Sequence, residues 1–422
     1  MNQDLALKVM GEIMQWDDDE ARKEFQWLKL MARLKYDGYR DFQAGMRFIE
    51  SLATWLQQFD QDERKAAYKF VKERMVYVGP GEVRRLVEQF FPNTIRQRII
   101  STVSSDLGIK PYSVLTNPEA ETAIERLRRQ TLVLGLSDGA RMDIVRHANV
   151  GRLNNEQLVL APQIDAEKWK DLRDNLREDL KDADALFKII YLVDDFSGTG
   201  TSFLRFNEAK RKWSGKITRF HKSLFNAIDD PEVGDIVAPD WQLCAHHYMA
   251  TASAKSNMVA SEKAARPDLQ KKGWPDQVHL SFATVFDDAL PIVAGRDDDF
   301  IALTNKYYDP IIETKHTAVG GVKHIGLGYG GCALPLILEH NTPNNSAALF
   351  WAETTGGDRE GTVAPAIDKG MFEVRHWQIR SKKEHQSIVV TMKRSCHWSR
   401  LIHSLPFSKN TLTTANYTIS SQ

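Results

Sequence analysis

Over residues 1 to about 90, apolar side chains recur three and four positions apart in LALKVMGEIM, ARKEFQWLKLMARL, FQAGMRFIESLATWLQQF and ERKAAYKFVKERMVYV. That is the period of helices that turn one face to a core. Trp27, Leu28, Leu30 and Met31 mark one stripe; Met46, Phe48, Ile49, Leu52 and Trp55 mark another. Turn formers separate them, at Tyr36-Asp37-Gly38 and Gly79-Pro80-Gly81. Further helices are predicted over EVRRLVEQFF, ending near Pro92, over NTIRQRIISTVSSDLG and over EAETAIERLRRQ. These stripes carry no chemistry and read as core in a module for packing or partner docking.

Past residue 126 the pattern changes to short apolar runs without polar alternation. They are LVLGL, EQLVLAPQI (156–164), IIYLV (189–193), WQLCAHH (241–247) and ALPLIL, with a second apolar run ending at Trp351, while QVHLSFATV (277–285) reads as a further strand. Such runs suit strands buried on both faces, as in a parallel sheet. A charged helix is predicted over 166–181, and KITRFHKSLFN (216–226) reads as a crossover or a strand. The fold class is therefore α/β, a mostly parallel sheet flanked by helices and preceded by an all-helical domain. The expected divisions are 1–125 helical, 126–355 α/β and 356–422 a basic tail.

The stretch Ile189–Ser202, IIYLVDDFSGTGTS, organises the rest. A buried strand runs into two adjacent carboxylates, Asp194 and Asp195, then a loop of Ser197, Gly198, Thr199, Gly200, Thr201 and Ser202. FLRFNEAKRKW follows with helical spacing. A Gly-rich turn between strand and helix offers backbone N–H groups, hydroxyls and a helix dipole to a phosphate. No lysine lies in the loop, so it is not a nucleoside-triphosphate P-loop. One phosphate site next to two acceptors suits a ribose 5-phosphate, with carboxylates on the 2- and 3-hydroxyls and the loop on the phosphate.

The order of apolar run, acidic pair and Thr199-Gly200-Thr201-Ser202 resembles the diphosphate-sugar motif of the type I phosphoribosyltransferases. That resemblance implies their mostly parallel sheet flanked by helices. It also implies a pyrophosphate loop after the first core strand, for which Ser137, Asp138, Gly139 and Arg141 in TLVLGLSDGARMDIVR are the candidates. A guanidinium beside free N–H groups suits a diphosphate. In that family the interval now filled by residues 166–181 carries a mobile lid; the long charged helix here departs from it. The resemblance further implies magnesium bridging the ribose hydroxyls and a leaving diphosphate, with no protein metal cage.

Gly326–Trp351 holds EHNTPNN, where His340, Asn341, Asn344 and Asn345 could read a base edge through paired donors and acceptors. A simple polar turn between two strands would explain the same residues. Together LGLSDGARMD, LVDDFSGTGTS and EHNTPNN resemble the phosphoribosyltransferase-like effectors of bacterial conflict systems, the PRTase-CE type that accompanies retrons. The resemblance spans roughly residues 80–352. It implies an effector held quiet by partner defence proteins, among them a reverse transcriptase with its non-coding RNA and DNA, and released on infection.

Composition narrows the classes. The 422 residues carry 56 Lys and Arg against 56 Asp and Glu, so no global field draws the chain to nucleic acid or membrane. No apolar run reaches membrane-spanning length, and MNQDLALKVMGEIMQW, interrupted by Asp4, Lys8 and Glu12, is not expected to be a signal peptide. Cys244, Cys332 and Cys396 lie far apart without a CxxC pair, which points to a reducing cytoplasm. His246 and His247 end a strand, where α/β sheets bind ligands, although paired histidines also serve as structure. The runs Asp287-Asp288 and Asp297-Asp298-Asp299 read as metal ligands or solvated loops. From residue 371 basic residues interleave with Trp377, Trp398 and histidines, a pattern for nucleic acid, a docking strand or a solvated tail.

Two functions follow as expectations. One is chemistry at the ribose anomeric carbon of a nucleotide or phosphoribosyl diphosphate. The other is a catalytically inactive sugar-phosphate-binding module whose helical domain and basic tail do the work.

Overall fold

The protein is described by a computed structural model at residues 3–40, 42, 47–271, 273–352 and 370–372. The linker and basic tail of the sequence reading, and Met46, lie outside the described residues. The N-terminal helices are α1 (Gln3–Met14), α2 (Asp18–Leu34), α3 (Phe48–Gln57) and α4 (Arg64–Glu73), followed by a short strand β1 (Val76–Val78). Then come α5 (Pro80–Phe90), α6 (Arg96–Asp106) and α7 (Pro118–Arg129). Pro92 does not end the helical path, because Phe91–Ile95 continues it as a π-turn.

The sheet follows as β2 (Thr131–Gly135), α8 (Met142–Ala148), β3 (Leu158–Val159), α9 (Ala166–Leu180) and β4 (Phe187–Ser197). A hairpin of β5 (Arg205–Asn207) and β6 (Lys212–Ser214) leads to α10 (Lys216–Ile228). The remainder is β7 (Val237–Thr251), α11 (Ala252–Gln270), β8 (Val278–Phe286), α12 (Asp298–Lys306) and β9 (Leu336–Leu338). The five-stranded sheet runs β3-β2-β4-β7-β8, every neighbouring pair parallel. The α/β class with a mostly parallel sheet and an N-terminal helical region is thus the observed one.

Strand alternation explains the two cores. Val133, Ile189, Tyr191 and Val193 pack on one face with side chains of α5 to α8. Leu132, Leu134, Ile190 and Leu192 pack on the other with α9, α10 and α11. The helix α9, which stands where a lid was expected, buries Trp169, Leu172 and Leu176 in that second core.

Four local readings change. FLRFNEAKRKW forms the β5–β6 hairpin rather than a helix, closed by Phe206 against Trp213 with ring centroids 5.3 Å apart. KITRFHKSLFN is helical, since Ile217, Phe220, Leu224 and Ala227 bury one face at helical spacing. The strand expected in 156–164 shrinks to Leu158–Val159. The apolar run before Trp351 is a 3-10 turn at Ala348–Phe350, not a second strand.

The segment around Met75–Val78, read as a helix end, pairs instead as β1 with β9, Val76 opposite Leu336 and Val78 opposite Leu338. Trp55 Nε1 donates to Leu349 O at 2.7 Å, and Phe70 stacks on Phe300 at 3.6 Å. These contacts carry packing across residue 125.

Candidate functional site

The chain runs from β2 outward to β3, then returns past β2 to β4 and continues to β7 and β8. The order reverses between β2 and β4, and the crevice beyond their C-terminal ends is where open α/β sheets take ligands. Ser137 to Arg141 leave β2 at that crevice, and Asp194 to Ser202 close and leave β4 there.

Neighbouring strand positions face opposite ways, and the two carboxylates follow that rule. Asp194 is almost fully buried on the α10 side. Its Oδ1 accepts from Ser137 Oγ at 2.5 Å, its Oδ2 pairs with Lys216 Nζ, and His247 Nε2 stands 4.0 Å away. Asp195 lies on the other face, half-buried, with Oδ2 2.8 Å from His340 Nε2. Gly139 lies flat on this carboxylate, so that any Cβ there would collide with it. Sequence reasoning paired the two acids on one sugar; the fold gives each its own surroundings.

A chain of charges leads on from Asp195. His340 Nδ1 is 3.3 Å from Glu339 Oε1, and Arg141 reaches the same oxygen at 2.9 Å. Arg141, the residue just before α8, has φ +52°, a left-handed conformation that costs a non-glycine residue roughly 1–2 kcal/mol. Burial opposes a charge on His340, but the carboxylates of Asp195 and Glu339 outweigh it and raise its pKa to about 9. Burial likewise opposes the charge on Asp195, and His340 and Lys216 overcome it, holding the carboxyl below its ordinary range. Glu339 is lowered in the same way, against burial, by His340 and Arg141. The result is an ion-pair network of Asp195, His340, Glu339 and Arg141, charged at neutral pH.

The phosphate-loop candidate departs from a strand–turn–helix cradle, because the β5–β6 hairpin and not a helix follows it. Gly200 N–H donates to Ser197 Oγ at 3.2 Å, and Thr201 N–H to Thr199 Oγ1 at 3.3 Å. The hydroxyls of Thr199 and Thr201 lie 2.8 Å apart. Gly198 O accepts from Thr251 Oγ1 at 2.8 Å, and Thr199 O from Asn257 Nδ2 at 3.1 Å. Ser197 is buried and braces the loop, Thr199 and Thr201 are half-buried, and Ser202 is exposed. Gly200 has φ +78° and packs against Met258 and Ala254 of α11, which leaves no room for a side chain.

The loop after β9 closes over these parts. Asn345 lies on Gly198 and donates from Nδ2 to Tyr329 O at 3.2 Å. Asn341 closes a tight turn with Leu338 through backbone bonds, and Asn344 O accepts from Tyr329 N–H at 2.7 Å. One loop therefore touches three candidate stretches: Arg141 through Glu339, Asp195 through His340, and Gly198 through Asn345. Asp138 is exposed at the rim. Lys216 and Glu339 were missed in the sequence. Glu339 stood in the quoted run EHNTPNN, whereas Lys216 sat in a segment whose helix start was not recognised.

His246 and His247 are buried core residues; burial pushes their pKa values down to about 3 and about 4, so both are neutral at pH 7. His246 stacks on Phe90 and shares 2.9 Å with Ser281 Oγ. Asp297 pairs with Arg74 and Arg296, both at 3.0 Å, and serves packing. The expected magnesium does not suit the donor set. Asp194 and Asp195 each already hold a cationic partner, so neither offers it a bare carboxylate.

The sequence pattern of the PRTase-CE family matches residues 52–360 of the 422, well over half the chain. The chain belongs to the PRTase-CE family. No curated protein and no solved structure matches it. The PRTase-CE match takes in every site residue named above, and it spans β1, β9 and the whole parallel sheet.

Proposed function

We propose that this PRTase-CE chain acts at the anomeric carbon of a ribose 5-phosphate unit, in a nucleotide or in phosphoribosyl diphosphate. Its reaction arrests the host cell as the effector of a bacterial antiphage system of the retron-like kind. The observation that carries the reading is the meeting of the acidic pair, the Thr199–Ser202 loop and the Ser137–Arg141 loop at the switch point of the sheet.

In this reading the hydroxyls of Thr199, Thr201 and Ser202 take the 5-phosphate. Asp195 faces the ribose hydroxyls and offsets positive charge growing on the sugar. Asp194, fixed by Ser137 and Lys216, braces the floor of the pocket. Arg141 and the Gly139 turn take the leaving group, and Asn341, Asn344 and Asn345 border the base. Transfer to a base and hydrolysis share these steps. Partner defence proteins would hold the effector through the helical region or the basic tail.

A second reading, a silent sugar-phosphate-binding module, is favoured by one observation: both carboxylates already carry cationic partners. Incubation of purified protein with a nucleotide pool and phosphoribosyl diphosphate, followed by mass spectrometry, separates the two. Release of free base or transfer of the ribosyl phosphate supports the enzyme. In cells, the Asp194→Asn, Asp195→Asn double variant is expected to abolish growth arrest; undiminished arrest by a folded double variant counts against it.

A further inference from the structure

Lys216 stands where a lysine is costly. It is the first residue of α10, and a cation in the first turn opposes the helix dipole. Its position is nevertheless tightly imposed. Lys216 N–H donates to Ser202 O at 2.9 Å, tying the helix start to the end of the Thr199–Ser202 loop. Gly215, just before it, has φ +151° and backs onto Phe203 O so closely that no side chain fits. This packing brings the Lys216 ammonium from outside the loop onto Asp194, whose side chain is 3% exposed while that of Lys216 is 20% exposed. The lysine therefore bridges a buried acid and the crevice.

The site is balanced besides. Asp194, Asp195 and Glu339 are matched by Lys216, His340 and Arg141. A divalent cation is drawn to a cluster of unmatched carboxylates, and here each acid has a fixed positive partner. We propose that Lys216 occupies the place a divalent cation would take beside the acidic pair, so that the pocket binds a ribose 5-phosphate ligand without divalent metal. The ammonium supplies both the neutralisation of Asp194 and a donor toward a ligand oxygen. This rests on the sugar-phosphate reading of the pocket given above.

The test is calorimetric titration of the full chain with phosphoribosyl diphosphate, which carries the diphosphate that a bridging magnesium would hold, once in EDTA and once in excess magnesium. The wild-type Kd is expected to agree within about twofold between the two buffers, and Lys216→Met to bind about tenfold more weakly in EDTA. Wild-type binding that weakens about tenfold or more in EDTA overturns the inference and leaves the pocket reading standing. Wild-type Kd in EDTA for Lys216→Met also overturns it. Absence of any wild-type binding in both buffers removes the sugar-phosphate pocket itself, and the inference with it. If Lys216→Met fails to fold because Asp194 loses its partner, Asp194→Asn combined with Lys216→Met removes the stranded charge. The wild-type comparison needs no variant.

Discussion

At the scale of single residues, the site is governed by close approach and by charge pairing in a dry setting. Gly139 has no room for a Cβ because the Asp195 carboxylate lies against it. Gly139→Ala should push that carboxylate off His340 and cost about 1–3 kcal/mol in urea unfolding, the usual range for overpacking. A variant as stable as the parent would mean that the contact has slack. His340 makes a pH prediction. Its folded pKa, about 9, lies above the usual 6.5, so its stabilisation is complete below that lower value and is lost as pH rises through about 9. The depressed Asp195 and Glu339 act in the opposite sense and lose their contribution only as pH falls below the carboxylate range. The melting temperature should drop on the alkaline side by the equivalent of about 3 kcal/mol in the wild type, and much less in His340→Gln. Parallel profiles for the two proteins would contradict the network.

Among the elements, α10 does two tasks. Its buried face seats it on the sheet, and its first residue delivers the ammonium to Asp194. Phe220 is fully buried in that face, and Phe220→Ala should cost about 3–5 kcal/mol, read from a denaturant titration. The loop between β4 and β5 illustrates how elements override local spacing. FLRFNEAKRKW has the apolar period of a helix, yet Phe203 and Leu204 are drawn into the core while Phe206 pairs with Trp213 across a turn. A helix could not place both pairs at once, and the hairpin does.

Over the whole molecule, the N-terminal helices are joined to the later part of the chain by β1 with β9, by Trp55 on Leu349 and by Phe70 on Phe300. Unfolding followed by tryptophan fluorescence and by circular dichroism should therefore give coincident transitions for the helical and α/β parts. Two separated transitions would show that the helical part unfolds on its own. Trp55→Phe, which removes the Nε1 bond to a buried carbonyl, should lower stability by about 1–2 kcal/mol within that same transition.

What the chain alone determined was local. The doubly buried runs announced a parallel sheet, because nothing but cover on both faces tolerates LVLGL and IIYLV. The acidic pair followed by small hydroxyl residues marked the crevice, because strand ends and glycine turns are written in consecutive residues. Arg141, Asp195 and His340 were each visible on chemical grounds. Their connection through Glu339, the ammonium of Lys216 over Asp194, and the pairing of Val76–Val78 with Leu336–Leu338 were decided by the tertiary structure. Each joins residues distant in sequence, and only packing across the sheet sets which acid meets which base.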